Sequence, residues 1–384
     1  MNSRKKTYLN KNNINWPAVR KLFPAASKYV FANAAGGSPI PFPAAEAGKR
    51  FYEEALADGD ASWDAWLQRA AETRAKLAKF INAGPKETAF VLNTSHGMNL
   101  IAGMLKGRRA VLTMRDEFPS TTYPWLHQGY KVKFAAPKNN IYSIADIEKA
   151  LDGSIKILVT SCVQYRTGFR QDLAELGRFC RSKGLIYVVN ATQALGAMPV
   201  DVKKAGMDFM TFSCFKWTMS GYGIGGLYIN KKWLGRIEFP QAGWRSVECP
   251  EDMDNARVLM RKEASAVEVG CGHFPNIFAL GGALDLLGGI GIKNIQERIF
   301  TLNDLLVKKL KELGLEIVSP LEREHRSGIT VFKTSEPQKL VEQLKKRKII
   351  TAARGEGVRI ALHIYNNEED IEKLAAALKL CLRG

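Results

Sequence analysis

The 384 residues, 46% hydrophobic and 24% charged, suffice for a large domain with its own core and a smaller one beside it. The formal charge of +18 raises the question of nucleic acid, but the basic residues fall in short scattered runs such as Lys231-Lys232, Lys308-Lys309 and Lys345-Lys346-Arg347-Lys348, with no nucleic-acid motif beside them; a solvated surface that attracts anionic ligands is expected instead. Six cysteines without a CxxC pair or metal-type spacing exclude a disulfide framework and a metal site, and neither the basic start MNSRKKTYLNKNN nor the stretch 278–292, interrupted by Asp285, reads as a signal or a membrane span, so a cytoplasmic protein without membrane or nucleic-acid partners is expected.

From residue 87 to 230, short β-rich runs alternate with helical patterns. TAFVLN is followed by GMNLIAGMLKG, then RAVLTM, then KVKFAA with SIADIEKAL, IKILVTS with LAELGRFCRSKG, and finally IYVVN, FMTFS and GGLYIN. Continuous apolar runs between amphipathic helices predict parallel strands covered on both faces, a doubly wound α/β core. In such sheets ligands gather at the carboxyl ends of the strands. The polar strand ends at 93–96, 116–120, 161–168, 190–193 and 213–216 are therefore the first candidates for chemistry.

After Phe274 the pattern becomes helix-rich over 275–313. Strand-like runs follow at LEIVS, GITVFK and VRIALHIY, then a last helix over 368–382 with Asn366 and Asn367 placed to cap it. The expected division is a large α/β domain over 26–276 and a smaller α+β domain formed by 277–384 with 1–25.

Lys216 ends one of the apolar runs, where a desolvated amine has a lowered pKa and traps carbonyl groups. Asn190 and Gln193, ending the preceding run, are amides suited to a planar heteroaromatic ring and its phenolic oxygen, and Ser213 adds a hydroxyl. Asn93-Thr94-Ser95-His96-Gly97 joins a strand to a helix, where a helix N-terminus stabilises phosphate. The glycines at 221, 223 and 226 spell G-x-G-x-x-G but lead into GGLYIN, another strand, and a dinucleotide fingerprint has to open a helix.

In this order, from FANAAGGSPIP to RIALHIYNNEEDI, these motifs make the chain resemble the class V, fold-type I family of pyridoxal-phosphate enzymes, which includes cysteine desulfurases, selenocysteine lyases, kynureninases and isopenicillin-N-epimerase-like proteins. The resemblance implies a mostly parallel seven-stranded sheet domain with a smaller α+β domain, a homodimer with active sites at the interface, and pyridoxal 5'-phosphate held by Lys216 as a Schiff base. It gives Thr94, Ser95, His96 and Ser213 to the phosphate, Phe118 to the ring face, Gln193 to the phenolic oxygen, Gln164 or Tyr165 to that oxygen or to the substrate, and Asn190 to the ring nitrogen. Arg359, assisted by Arg354, takes the substrate carboxylate, and Ala35 and Gly36 line the substrate side.

Three departures from the family pattern shape the expected function. Asn190 replaces the aspartate that protonates the ring nitrogen, so a weaker electron sink is expected. Phe215 stands where many relatives have histidine, and Cys271 where a partner subunit usually supplies Thr or Ser, so two phosphate contacts are altered. No cysteine lies in 351–359, which argues against a desulfurase using a loop cysteine. The expectation is a pyridoxal-phosphate enzyme acting on a small amino acid or derivative by lyase, epimerase or aminotransferase chemistry; a cofactor-binding protein with little turnover, serving as sensor or assembly partner, is the alternative.

Overall fold

Seven strands of four or five residues form the main sheet: β1 (Thr88–Val91), β2 (Ala110–Met114), β3 (Lys131–Ala135), β4 (Ile157–Ser161), β5 (Ile186–Asn190), β6 (Phe209–Ser213) and β7 (Gly225–Ile229). The computed structural model describes residues 9–10, 13–107 and 110–382. The sheet order is β1-β7-β6-β5-β4-β2-β3, parallel throughout except β7, which is antiparallel to both neighbours. β4 to β7 are buried at every residue, as apolar runs covered on both faces require. β3 is an edge strand whose exposed Lys131 and Lys133 discourage further pairing. Winding reverses at β2, which has β3 on one side and β4 on the other, and this places a crevice at the carboxyl ends of the central strands.

The helices that matter for the site are α1 (Phe42–Asp58), α2 (Trp63–Phe80), α3 (Thr94–Met104), α4 (Pro119–His127), α5 (Leu173–Ser182) and α6 (Phe274–Ile290). α6 is apolar all round and correspondingly buried, packed against α1 and α2. Gly291, at φ +88°, ends it, and α7 (Ile292–Glu312) leaves at 78° to α6. No single helix among the described residues is long and apolar enough to cross a membrane.

A second sheet, ordered β8 (Ile329–Lys333), β10 (Gly357–Ala361), β9 (Ala352–Arg354), is antiparallel and covered by α7 and by α8 (Glu368–Cys381). Asn367 caps α8 in a reciprocal box with Asp370. Two sequence expectations change here. LEIVS is not a strand: Ile317 makes a single bridge to Phe332. VRIALHIY leaves the sheet after Ala361, because the backbone of Ile364 donates to His363 Nδ1 instead of a neighbouring strand.

The chain's beginning is woven into this second sheet. Val30–Phe31 pairs in parallel with Ile349–Ile350, and the Ala34 N–H donates to Ala361 O at 3.0 Å. These bonds carry residues 33–37 to the crevice of the main sheet, so the second sheet supplies one wall of the site.

Candidate active site

The crevice contains a cavity of about 320 Å³. Lys216 lies three residues beyond the end of β6, and its side chain is buried against this cavity. Thirteen of the sequence-predicted residues line it: Ala35, Gly36, Thr94, Ser95, Phe118, Tyr165, Asn190, Gln193, Ser213, Phe215, Lys216, Arg354 and Arg359. They come from residues as far apart as 35 and 359, brought together by β5, β6, α3 and β10. A larger open depression of about 1170 Å³, bordered by Asn99, His127 and Arg236, shares no residue with it.

At one end, hydroxyls gather at the start of α3. Thr94 Oγ1 lies 2.6 Å from Thr192 Oγ1 and 2.8 Å from Ser213 Oγ, and Ser95 Oγ lies 2.7 Å from Ser120 Oγ. The helix's own N–H groups are mostly spent: Thr94 donates to Ser213 Oγ, His96 to Asn93 Oδ1 and Gly97 to Asn93 O. Ser95 N–H is left without an acceptor among the described residues. The first turn carries no acidic side chain, so the positive end of α3 is uncompensated and suited to a phosphate.

Lys216 has no carboxylate partner among the described residues. Burial first, then Arg359 and Arg354, lower its pKa to about 7. Its Nζ lies 5.4 Å from the Phe118 ring centre and 5.6 Å from that of Phe215, which stacks on Tyr222. Arg359 is almost fully buried; it donates to Tyr165 O at 3.1 Å and to Asn33 Oδ1 at 3.3 Å, and its Nε has no acceptor. Burial and Arg354 push it down to about 9, still cationic at neutral pH. The cavity thus concentrates positive charge that only an anionic ligand balances.

Two amides face this charge with fixed orientation. Trp217 Nε1–H can only donate, so the Gln193 atom 2.8 Å away is Oε1, and Nε2 turns to Ala35 O at 3.0 Å with one hydrogen to spare. Asn190 is arranged in the same way, its Oδ1 accepting from Thr192 N–H at 3.0 Å.

Three predicted residues are placed elsewhere. His96 turns away: its Nδ1 accepts from Leu92 N–H at 3.2 Å and its Nε2 faces Gln241. Gln164 donates to buried Glu117 at 2.8 Å, so of the pair Gln164 and Tyr165 only Tyr165 reaches the cavity, where its ring meets Phe118 edge-on. Cys271 is exposed and outside this chain's cavity, and no cysteine lines it. Asn93 of the phosphate-type loop lines the cavity too, as do Ser120, Ser161 and Thr192, which fall within the strand-end ranges but had no individual role in the sequence. The strand-end rule points to their places but not to their partners.

The class-V aminotransferase family model matches residues 30–374. The chain belongs to that family. Among similar proteins, an uncharacterized aminotransferase of Bacillus subtilis is 26% identical over 93% of this chain and 96% of its own. A probable cysteine desulfurase of Methanothermobacter thermautotrophicus is 27% identical over 94% and 96%. The apo cysteine desulfurase structure from Thermococcus onnurineus superposes with a TM-score of 0.88 at 25% identity, covering 96% of this chain and 98% of that one.

Pyridoxal phosphate is the cofactor of class-V aminotransferases, and this member's cavity fits it. The hydroxyl cluster and Ser95 N–H match the phosphate, the spare hydrogens of Gln193 and Asn190 match the ring oxygen and nitrogen, and the buried amine matches the aldehyde.

Proposed function

We propose that this protein is a pyridoxal-phosphate enzyme acting on the amino group of a small amino acid or amino-acid derivative, by lyase, epimerase or aminotransferase chemistry that uses no loop cysteine. The observation that carries this reading is the buried, unpaired Lys216 amine, with a pKa of about 7, sharing one cavity with the α3 hydroxyl cradle. The bound cofactor supplies an aldehyde for amines and a ring that withdraws electrons from the bond being broken.

This chain's residues do the rest. Burial and the neighbouring arginines hold the Lys216 amine at a pKa of about 7, so it would need no separate base to bind the cofactor's aldehyde, and it is placed to take and return a proton at the substrate α-carbon. Thr94, Ser95 and Ser213 hold the phosphate, Gln193 donates to the ring oxygen, Asn190 meets the ring nitrogen, and Phe118 covers the ring. Arg359 has an unused Nε, and with Arg354 it binds the substrate carboxylate, orienting the α-carbon toward Lys216.

A homodimer is part of this reading. Phe118 is 39% exposed beside the cavity, and Leu92, in the turn between β1 and α3, and Tyr123 and Leu126 on α4 are exposed too. A second copy over this face shields the cofactor ring and brings Cys271 to the phosphate.

The test is an absorbance spectrum of the purified protein before and after borohydride, with peptide mapping. A pyridoxyl group on the Lys216 peptide, lost in Lys216→Ala, is expected; a protein that takes up no cofactor overturns the reading. Asn190 favours one alternative, a binding protein with little turnover. A native protein that carries the adduct but turns over no amino acid in a panel establishes that alternative.

A further inference from the structure

Asn190 ends β5 at the cavity, and its amide has one orientation. Thr192 N–H has no lone pair to offer, so the side-chain atom 3.0 Å away accepts and is Oδ1. Nδ2 then faces Thr121 Oγ1 at 2.9 Å. Thr121 lies on α4 and is fully buried, near Glu117. Glu117 is itself held by Ser161 N–H at 2.7 Å, by Ser161 Oγ and by Gln164 Nε2 at 2.8 Å. One Nδ2 hydrogen goes to Thr121 and the other is left for whatever fills the cavity.

We propose that Asn190 donates this remaining hydrogen to the ring nitrogen of the bound cofactor and keeps that nitrogen unprotonated, with Thr121 as the positioning residue that holds the amide in its donating orientation. The inference rests on the pyridoxal-phosphate reading above. A protonated ring nitrogen needs an acceptor. Turning Oδ1 toward it strips Thr192 N–H of its partner and sets the Asn190 amine against that N–H, and each buried donor left unpaired costs about 1–3 kcal/mol.

The orientation does not depend on the charge of Glu117. Thr121 Oγ1 has two lone pairs, so it accepts from Asn190 Nδ2 whichever way its own hydrogen points. Burial raises the Glu117 pKa, and it raises that of Cys162, the next residue after β4. A ring with a neutral nitrogen withdraws electrons less strongly, which favours reactions whose charge departs with a leaving group over those that store it on the ring.

The experiment loads the full-length protein with pyridoxal phosphate labelled with ¹⁵N in the ring and reads the nitrogen shift between about pH 6 and pH 9. The expected native signal is that of an unprotonated pyridine nitrogen across the range, moving to the protonated position in Asn190→Asp. A protonated native signal overturns the inference while leaving the cofactor reading intact; failure to retain the label overturns that reading instead. Thr121→Val checks the positioning role. It is expected to weaken cofactor binding about tenfold and to make the shift pH-dependent, because the amide is no longer held. A variant identical to the native protein in both readouts removes Thr121 from the proposal.

Discussion

Ser213 Oγ accepts the Thr94 N–H at 2.9 Å and lies 2.8 Å from Thr94 Oγ1, so the end of β6 and the start of α3 are tied at two points. This contact sets where the hydroxyl cradle stands relative to Lys216, three residues further along the chain. Ser213→Ala removes a hydroxyl from the cradle and the acceptor of a helix-terminal N–H. Hydrogen bonds to a charged group contribute about 1.5–3 kcal/mol, so the dissociation constant for pyridoxal phosphate is expected to rise about 10- to 100-fold. Absorbance titration of the apo protein measures it; unchanged affinity would take Ser213 out of the phosphate site.

The same junction depends on Gly97. A Cβ there overlaps the Thr211 hydroxyl of β6, which means α3 is seated as close to the sheet as a glycine permits. Gly97→Ala is expected to cost about 1–3 kcal/mol by overpacking, read as a lower urea midpoint. Adding Thr211→Ala is expected to restore part of the loss, and a double variant no better than the single one rules out this contact as the cause.

Lys216 makes stability depend on pH. Its folded pKa of about 7 lies below the ordinary lysine value of about 10.4, so between these the unfolded chain binds a proton that the folded one does not, and stability rises with pH across that window. Below about pH 7 the whole desolvation cost is present. Lys216→Met is therefore expected to stabilise the apo protein by about 3–5 kcal/mol near pH 6, with the gain vanishing toward pH 10. Urea titrations at three pH values test this; a gain independent of pH points to packing and not to charge.

Arg20 joins the two ends of the chain. Its guanidinium grips Asp370 at 2.7 and 2.9 Å, and Asp370, 2% exposed, also caps α8 and accepts from Asn366 at 2.9 Å. Asp370→Ala leaves a partly buried cation and half of the capping box, at an expected cost of about 2–4 kcal/mol; Arg20 is 23% exposed, which keeps the cost below that of a fully buried pair. Denaturant unfolding decides it, and a loss under about 1 kcal/mol shows that solvent screens the pair.

Arg359→Lys keeps a positive charge but loses the planar fork that matches a carboxylate. With the proposed role, KM for amino-acid substrates rises about 10- to 100-fold while simple amines bind the cofactor-loaded protein as before. Equal losses for both ligand types place Arg359 in the architecture of the pocket and not in carboxylate recognition.

How much of this was legible beforehand depends on the kind of information each feature carries. The strands of the main sheet are visible because burial on both faces demands uninterrupted apolar runs, and Lys216, Asn190 and Ser213 are conspicuous because they break those runs at the ends where ligands collect. LEIVS reads as a strand by the same rule, yet it makes only one bridge at Ile317, along the edge of β8 away from β10, where Val318 N–H donates to Val331 O and Lys333 N–H to Glu316 O and the pairing goes no further. His96 lies in a phosphate-type loop, but Leu92 N–H claims its ring; Gln164 and Tyr165 are adjacent in sequence, and only the buried Glu117 decides which of them faces the cavity.

The sequence by itself determined the class of sheet, the edge where polar residues interrupt the apolar runs and the amine at that edge, because alternation and burial are properties of neighbouring residues. Only the tertiary structure decided that residues 35 and 359 share a wall, that Lys216 has no carboxylate partner among the described residues, and that Asn190 Oδ1 and Gln193 Oε1 are each taken by an N–H while each amide keeps a hydrogen to spare. Those outcomes are set by donors distant in the chain, whose demand for an acceptor is satisfied only when the whole fold is assembled.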